Sequence, residues 1–380
     1  MARVNHIIYL MQVPMSAREY TRFGAEFYVA QGLAVEVWNC APFLNPGYVT
    51  AEEAAPVPGL ALSNAGKVCA ALRGLAATDA VVNLLPRRAA TLSIHRALGH
   101  SPAQDVTVRT NALPLPGATF VQRLRKLRPG KLVDFLLSRP NVWYKLTPRP
   151  GRIIYGGTAC RPFPGETPRP VSGHALDYDL FLQRPTANAR EPMAVFMDQC
   201  FPFHPDFQVI KSKAPVTVER YYPSLCAFFQ KLEEASGLRV VIAAHPRAPR
   251  DKDLFAGREA VYGQSLELAQ RAALVLAHTS TAVNFAVMYH TPLLFLNTAE
   301  LELNQGPIIA ELAGQLNAPC LNVDALPDTW ADALKSMPVP EKAYAAYAAR
   351  YIKEPGSPDL PFWEILLNDL NAENAADHAP

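Results

Sequence analysis

Between residues 191 and 297 the chain alternates apolar runs of strand length with helical patterns, and this alternation constrains the fold more than any other feature. The runs in "EPMAVFMDQ", "LRVVIAAHP", "ALVLAHTS" and "PLLFLN" read as buried strands. Between them, "TVERYYPSLCAFFQKLEEASG", "SLELAQRA" and "TAVNFAVMYH" read as helices, the first with a glycine stop. Strands reached through helical crossovers pair in parallel, and the helices cover both faces of the sheet. The opening of the chain repeats the scheme, with "HIIYLM" as strand, "AREYTRFGAEFYVAQG" as helix and "AVEVWN" as strand. "DAVVNLLP" and "GRIIYGG" add buried strands, the second leaving through a Gly-Gly pair that lets a backbone or a ligand come close.

The expected fold class is therefore α/β, with two Rossmann-like domains whose parallel sheets face a central cleft. A chain of 380 residues exceeds what one hydrophobic core usually serves. The boundaries read as residues 1–175 for an N-terminal domain and 176–335 for a C-terminal domain. Residues 336–380 form a helical segment and a polar tail, in which "LPFWEILLNDL" docks back on the body. Prolines clustered between 139 and 171 break any long helix there.

Composition narrows the function classes. With 49% apolar residues, 18% charged residues and a formal charge of +2, the chain is not a nucleic-acid binder driven by bulk charge. Cys40, Cys69, Cys160, Cys200, Cys226 and Cys320 show no metal-type spacing and read as free thiols of a reducing compartment. No stretch reaches membrane-span length, and the start of the chain does not read as a cleaved leader, so the expected location is cytoplasmic. Positive charge is local: residues 120–140, with Arg123, Arg125, Lys126, Arg128 and Lys131, read first as a surface helix pair. Their second reading is contact with anionic lipid or acidic glycan, at the periphery of the inner membrane.

In open parallel sheets, ligands bind beyond the carboxyl ends of the strands, where helix amino termini expose amide donors. "VVIAAHPRAP" ends in His245, Pro246 and Arg247, and "ALVLAHTSTAVNFAV" ends in His278, Thr279, Ser280 and Thr281. Hydroxyls and amides at a helix start suit a phosphate, and the same residues serve equally as ordinary caps. A histidine before proline is likewise an ordinary loop residue in many proteins. If the two strands are neighbours, His245 and the Ser280–Thr281 pair share one rim, with Arg247 as a second cation of phosphate-binding geometry. Asp198, closing "AVFMDQ", reads either as a turn former or as a general base facing the cleft. Glu267 near its helix start suits a ribose hydroxyl or the helix dipole, with Tyr262 and Gly263 lining the same pocket. His204 and Asp206 read as loop residues.

The order "AVFMDQ", "VVIAAHPR", "VYGQSLELAQRAALVLAHTSTAVNFAV", "TPLLFL", led in by "HALDYDLFLQ", resembles the carboxyl-terminal domain of bacterial GT-B glycosyltransferases. It is similar above all to the sialyltransferase-like and Kdo-transferase-like enzymes that build surface polysaccharide from CMP-activated acidic sugars. The resemblance covers residues 174 to 300. It implies His245 and Pro246 at the nucleotide, Ser280 and Thr281 at its phosphate and an acidic residue as base. The donor groups of the rim meet leaving-phosphate charge without a metal, and no cofactor is expected beyond the CMP-sugar donor. The paired acidic residues before glycine of the sialyltransferase pattern are missing, and Asp198 stands in for them. The implied partners are a nucleotide-sugar donor, held by the C-terminal domain (176–335), and a glycan or glycolipid acceptor, held by the N-terminal domain (1–175). Alternatives on the same architecture are a CDP-glycerol-type or UDP-sugar transferase and a sugar-nucleotide epimerase. An alternative of another class is a non-catalytic glycan-binding or assembly protein.

Overall fold

The computed structural model describes residues 3–48, 53–117, 132–184, 189–204, 207, 212–335 and 337–376. Among them, the strands form two separate parallel sheets, so the expected fold class holds. The first contains β1 (His6–Met11), β2 (Ala34–Asn39), β3 (Gly59–Ala61), β4 (Asp79–Asn83), β5 (Gln104–Arg109), β6 (Arg152–Gly156) and β7 (Arg169–Gly173), in the order β3-β2-β1-β4-β5-β6-β7. The second contains β8 (Glu191–Met197), β9 (Arg239–Ala244), β10 (Ala260–Tyr262), β11 (Ala272–Ala277), β12 (Leu293–Asn297) and β13 (Cys320–Asn322), in the order β10-β9-β8-β11-β12-β13. Each sheet starts at an inner strand, winds to one edge and then crosses to the other side. That reversal leaves a switch point beside β1 and β4 in one sheet and beside β8 and β11 in the other, where such folds place ligands. Helices on both faces explain why Met193 to Met197 are buried in succession and the run reads as continuously apolar.

Short strands carried too little pattern to be expected. β3, β10 and β13 are three residues each, and β7 lies inside the proline-rich stretch. Pro170 is tolerated there because β7 is an edge strand.

The single helix expected over "AREYTRFGAEFYVAQG" is two, α1 (Ala17–Arg22) and α2 (Ala25–Ala30), with Gly24 at φ +68° between them. The cause lies at the far end of the chain. A Cβ on Gly24 would stand 2.2 Å from Cγ of Trp363, in the helix Phe362–Ala376. Trp363 also donates its indole N–H to the Arg22 carbonyl at 3.0 Å and meets the rings of Tyr9 and Tyr28 edge-on. Phe362, Trp363, Leu366 and Leu370 share a core with Ile7, Tyr9 and Tyr28, whereas Tyr344, Tyr347 and Tyr351 join the core of the second sheet. The closing segment is thus divided between the two domains. At the Gly156–Gly157 pair it is backbone that approaches: a Cβ would meet the His174 carbonyl oxygen or the Arg350 carbonyl oxygen at 2.5 Å.

All six cysteines are free thiols. No helix among the described residues is long and apolar enough to cross a membrane. Arg123, Arg125, Lys126, Arg128, Lys131 and Asp206 lie outside the described residues; of the basic stretch, Leu132–Leu137 is helical.

Gly24→Ala should cost roughly 1–3 kcal/mol through overpacking. The cost should shrink when Trp363 is also replaced by alanine, because the clash then disappears. Equal costs in both backgrounds on urea unfolding would contradict this contact.

Candidate active site

β8 separates β9 from β11, so the two sequence endings are not neighbours as expected; they flank the end of β8. At the switch point, Gln199 ties the loops together. Its Oε1 accepts the Thr279 backbone N–H at 2.7 Å and its Nε2 donates to the Thr279 hydroxyl at 3.1 Å. Thr279 is buried and spent on this clamp. Ser280 Oγ accepts the Ala282 N–H at 3.1 Å, starting the turn into the helix Val283–Met288. Ser280 and Thr281 are left as the half-buried hydroxyls of the rim.

On the other flank, Pro246 sits in the turn closed by the Ala248 N–H on the His245 carbonyl at 2.9 Å. His245 Nδ1 accepts the Arg247 N–H at 3.2 Å, which sets the tautomer with its proton on Nε2. The His204 ring lies 4.8 Å from that of His245. Arg247 reaches across to the first domain, with Nη2 3.6 Å from Glu19 Oε1; the side chains are only 16% and 13% exposed. Glu19 is held in turn by a capping box on α1, its Oε2 accepting the Ser16 N–H at 3.0 Å. Arg22 of the same helix pairs with Asp177 at 3.4 Å, and Asp177 also accepts from Asn284 Nδ2 at 3.1 Å. Burial pushes the Asp177 carboxyl pKa up, against the opposing pull of Arg22 and Asn284. Helix α1 therefore touches the second domain through two of its charged side chains, Glu19 and Arg22.

Asp198 does not face the cleft. It is 5% exposed, and its Oδ1 accepts the Cys200 N–H at 2.8 Å. That bond holds Cys200 at φ +50°, a left-handed conformation costly for a residue with a side chain. Burial raises the Asp198 pKa to about 6, with the amides of Cys200 and His245 working in the opposite direction. Its Oδ2 is buried without a hydrogen bond among the described residues, out of reach of an acceptor hydroxyl. The general-base expectation for Asp198 is corrected accordingly: it is a loop-bracing carboxylate. His278 is also turned inward, ringed by Phe196, Phe201 and Tyr221, with Nδ1 donating to the Leu296 carbonyl. Burial pushes its pKa down to about 4, so it is a neutral core residue.

Glu267 meets Arg184 at 2.7 Å, so the carboxylate expected at a ribose is already engaged. Tyr262 donates its hydroxyl to the Pro249 carbonyl at 3.2 Å and lies under the Arg250 guanidinium, bracing the loop after Arg247. Gly263, at φ +73°, has open space beside it. Nothing in the sequence singles out Glu19, Asp177 or Gln199, and His204 reads there only as a loop residue. For Glu19 the "SARE" capping box was legible as a helix start, but nothing local marks its partner more than two hundred residues away.

No family model matches this sequence, and no curated protein matches it. Solved structures are similar along the whole chain. The wall teichoic acid polymerase TagF is 11% identical, with 99% of this chain and 90% of that chain covered and a TM-score of 0.56. The calicheamicin glycosyltransferase CalG4 is 14% identical, with 100% of both chains covered and a TM-score of 0.53. Arabidopsis thaliana UGT89C1 in complex with UDP-L-rhamnose is 12% identical, with 97% of this chain and 100% of that chain covered and a TM-score of 0.50. The likeness is one of fold: two parallel α/β domains in the GT-B arrangement of glycosyltransferase structures.

The Asp198 pKa, raised from 3.8 to about 6, means that the folded protein binds this proton more tightly than the unfolded chain. The resulting stability is fully present below about pH 4 and is lost as the pH rises through about 6. Melting temperatures measured across that window should fall more steeply with rising pH for the wild type than for Asp198→Asn; parallel curves would contradict the account of this carboxyl.

Proposed function

We propose that the chain is a glycosyltransferase that moves a sugar from a nucleotide-activated donor to a hydroxyl of a glycan or glycolipid acceptor. The observation that carries this reading is the Arg247–Glu19 pair at 3.6 Å, which sets a donor-side cation against an acceptor-side carboxylate. The donor lies along the carboxyl edge of the second sheet, with Pro246, Tyr262 and Gly263 lining its nucleotide. His245 Nε2–H, Arg247 and the hydroxyls of Ser280 and Thr281 meet the phosphate. The first domain holds the acceptor.

In the reaction, the donor phosphate takes the place of Glu19 as partner of Arg247, which frees Glu19 Oε1. That carboxylate accepts the proton of the acceptor hydroxyl as its oxygen bonds to the anomeric carbon. The bond from that carbon to the phosphate oxygen breaks, and the charge arriving on the phosphate is met by donors already in place. Domain closure keeps out water, which otherwise competes as acceptor. The nucleotide we assign is CMP carrying a keto-sugar acid, on the resemblance carried by "VVIAAHPR" and "AHTSTAVNFAV". This places the reaction in bacterial surface-polysaccharide synthesis on the cytoplasmic side. A UDP-sugar donor is the second reading, favoured by the likeness to UGT89C1 holding UDP-L-rhamnose.

At a hundredfold excess over Kd, a bound nucleotide adds about 2.7 kcal/mol of stability. CMP should therefore raise the melting temperature more than UDP, and a larger shift with UDP would transfer the assignment to the second reading. Glu19→Gln should lower kcat about 10²- to 10⁴-fold while CMP binds at least as tightly, because Arg247 is released. Retained kcat in that variant would remove Glu19 from the role of base.

A further inference from the structure

Residues 86–165 differ in charge from the rest of the chain. They hold fourteen Lys or Arg against two Asp or Glu, whereas the remaining residues hold twenty-two against thirty-two. Nine of the fourteen are among the described residues, and four of these are engaged by carboxylates: Arg87 and Arg109 by Glu166, Arg152 by Asp369 and Arg161 by Glu354. Arg96, Lys145 and Arg149 meet no carboxylate among the described residues. The two acids of the stretch do not answer them. Asp134 Oδ1 accepts the Ala89 N–H at 2.9 Å, and burial pushes the Asp105 carboxyl up to about 7.

The same stretch exposes apolar surface. Two short helices, Leu132–Leu137 and Pro140–Trp143, pack against each other on either side of Ser138 and Arg139, with Leu137 and Trp143 as their buried anchors. Leu132, Val133 and Leu136 share one helical face, and Val142 and Leu146 lie one turn apart; all five are 36–57% exposed. Thirteen large apolar side chains are exposed among the described residues, and five of them fall between 132 and 146, so this is not the ordinary scatter of single apolar residues over a surface. Cations stand among them. Arg96 Nε donates to the Leu146 carbonyl at 2.6 Å, the Arg139 guanidinium lies 4.7 Å from the centre of the Phe135 ring, and Lys145 and Arg149 are exposed on the chain next to Leu146. Long basic side chains of this kind lay their stems along apolar surface and carry the charge beyond it.

What covers such a face must offer apolar contact with negative charge around it. A second copy related by a two-fold axis would set these cations against one another. An acidic polysaccharide answers the charge and leaves the aliphatic side chains in water. An anionic bilayer answers both, because aliphatic groups enter the boundary between head groups and acyl chains while cations gain from the lipid phosphates. The opposite sign of the rest of the chain favours approach to that surface with this stretch foremost. We propose that the face carrying Leu132, Val133, Leu136, Val142 and Leu146, with Arg96, Arg139, Lys145 and Arg149, docks on an anionic lipid bilayer. The Asp134–Ala89 contact ties this face to the chain that leaves β4 at the carboxyl edge of the first sheet. On the glycosyltransferase reading, that placement makes the acceptor a glycolipid of the same membrane; the docking itself does not rest on that reading.

The test is flotation of the full chain with vesicles of phosphatidylcholine and with vesicles of equal parts phosphatidylcholine and phosphatidylglycerol, with CMP titrated on the same samples. The mixed vesicles should be bound at least about tenfold more tightly, and added salt should remove the difference. Lys145→Glu combined with Arg149→Glu should abolish the preference for the mixed vesicles. Leu132→Gln, Val133→Gln and Leu136→Gln together should weaken binding to the mixed vesicles at least about tenfold, with helix propensity nearly unchanged. CMP affinity should not change in either variant. Should the charge reversal or the triple change unfold the chain, Lys145→Gln with Arg149→Gln and Val133→Gln alone serve in their places, with smaller losses in the same directions. Equal binding to the two kinds of vesicle, binding to neither, or wild-type binding by the triple variant would overturn the docking. So would a dimer that the triple variant abolishes, formed by a chain that ignores vesicles. Vesicle binding without any nucleotide binding would leave the docking standing and remove the transferase reading; nucleotide binding without vesicle binding would do the reverse.

Discussion

Helix α1 fixes the geometry on which the site depends. It carries Glu19 against Arg247 and Arg22 against Asp177, and Asp177 is bonded in turn to Asn284 of the second domain. Buried ion pairs of this kind add little net stability, because desolvation offsets much of the attraction. Their effect is on arrangement: each pairs only when the carboxyl edges of the two sheets face one another. Relative motion is the default for two domains joined by modest interfaces. A contact as long as 3.6 Å between Arg247 and Glu19 is one that a phosphate can displace.

The rim proposed to hold the donor is braced from beneath by groups that do not themselves reach the cleft. Asp198 braces the loop at the end of β8, and Gln199 fastens that loop to the one after β11. His278 fills the core under the same loops. Burial drives the Asp198 and His278 pKa values in opposite directions, and in both cases it favours the uncharged form. Three polar residues are thereby spent on positioning His245, Arg247, Ser280 and Thr281. Donors fixed in advance cost little reorganisation when charge develops on a leaving phosphate.

The layered fold was legible because strands buried on both faces must be continuous apolar runs, and β1, β8, β9, β11 and β12 are such runs. Three-residue strands such as β10 and β13 offer no periodicity to read. The break at Gly24 was hidden because its cause, Trp363, arrives from the opposite end of the chain. The same limit applies at the site. Strand endings announce which residues stand at the carboxyl edge, and His245, Arg247, Ser280 and Thr281 do stand there. Whether a polar side chain at an ending turns outward or inward depends on neighbours supplied by other segments. Asp198 and His278 turn inward for that reason, and the partnership of Glu19 with Arg247 is equally invisible to local pattern.

The most direct measurement is a crystal structure of the full chain with CMP bound. The account predicts the phosphate within hydrogen-bonding distance of Arg247 and of the Ser280 and Thr281 hydroxyls, with Glu19 released toward the first domain. A nucleotide seated elsewhere, with the Glu19–Arg247 contact intact and the rim empty, would contradict it.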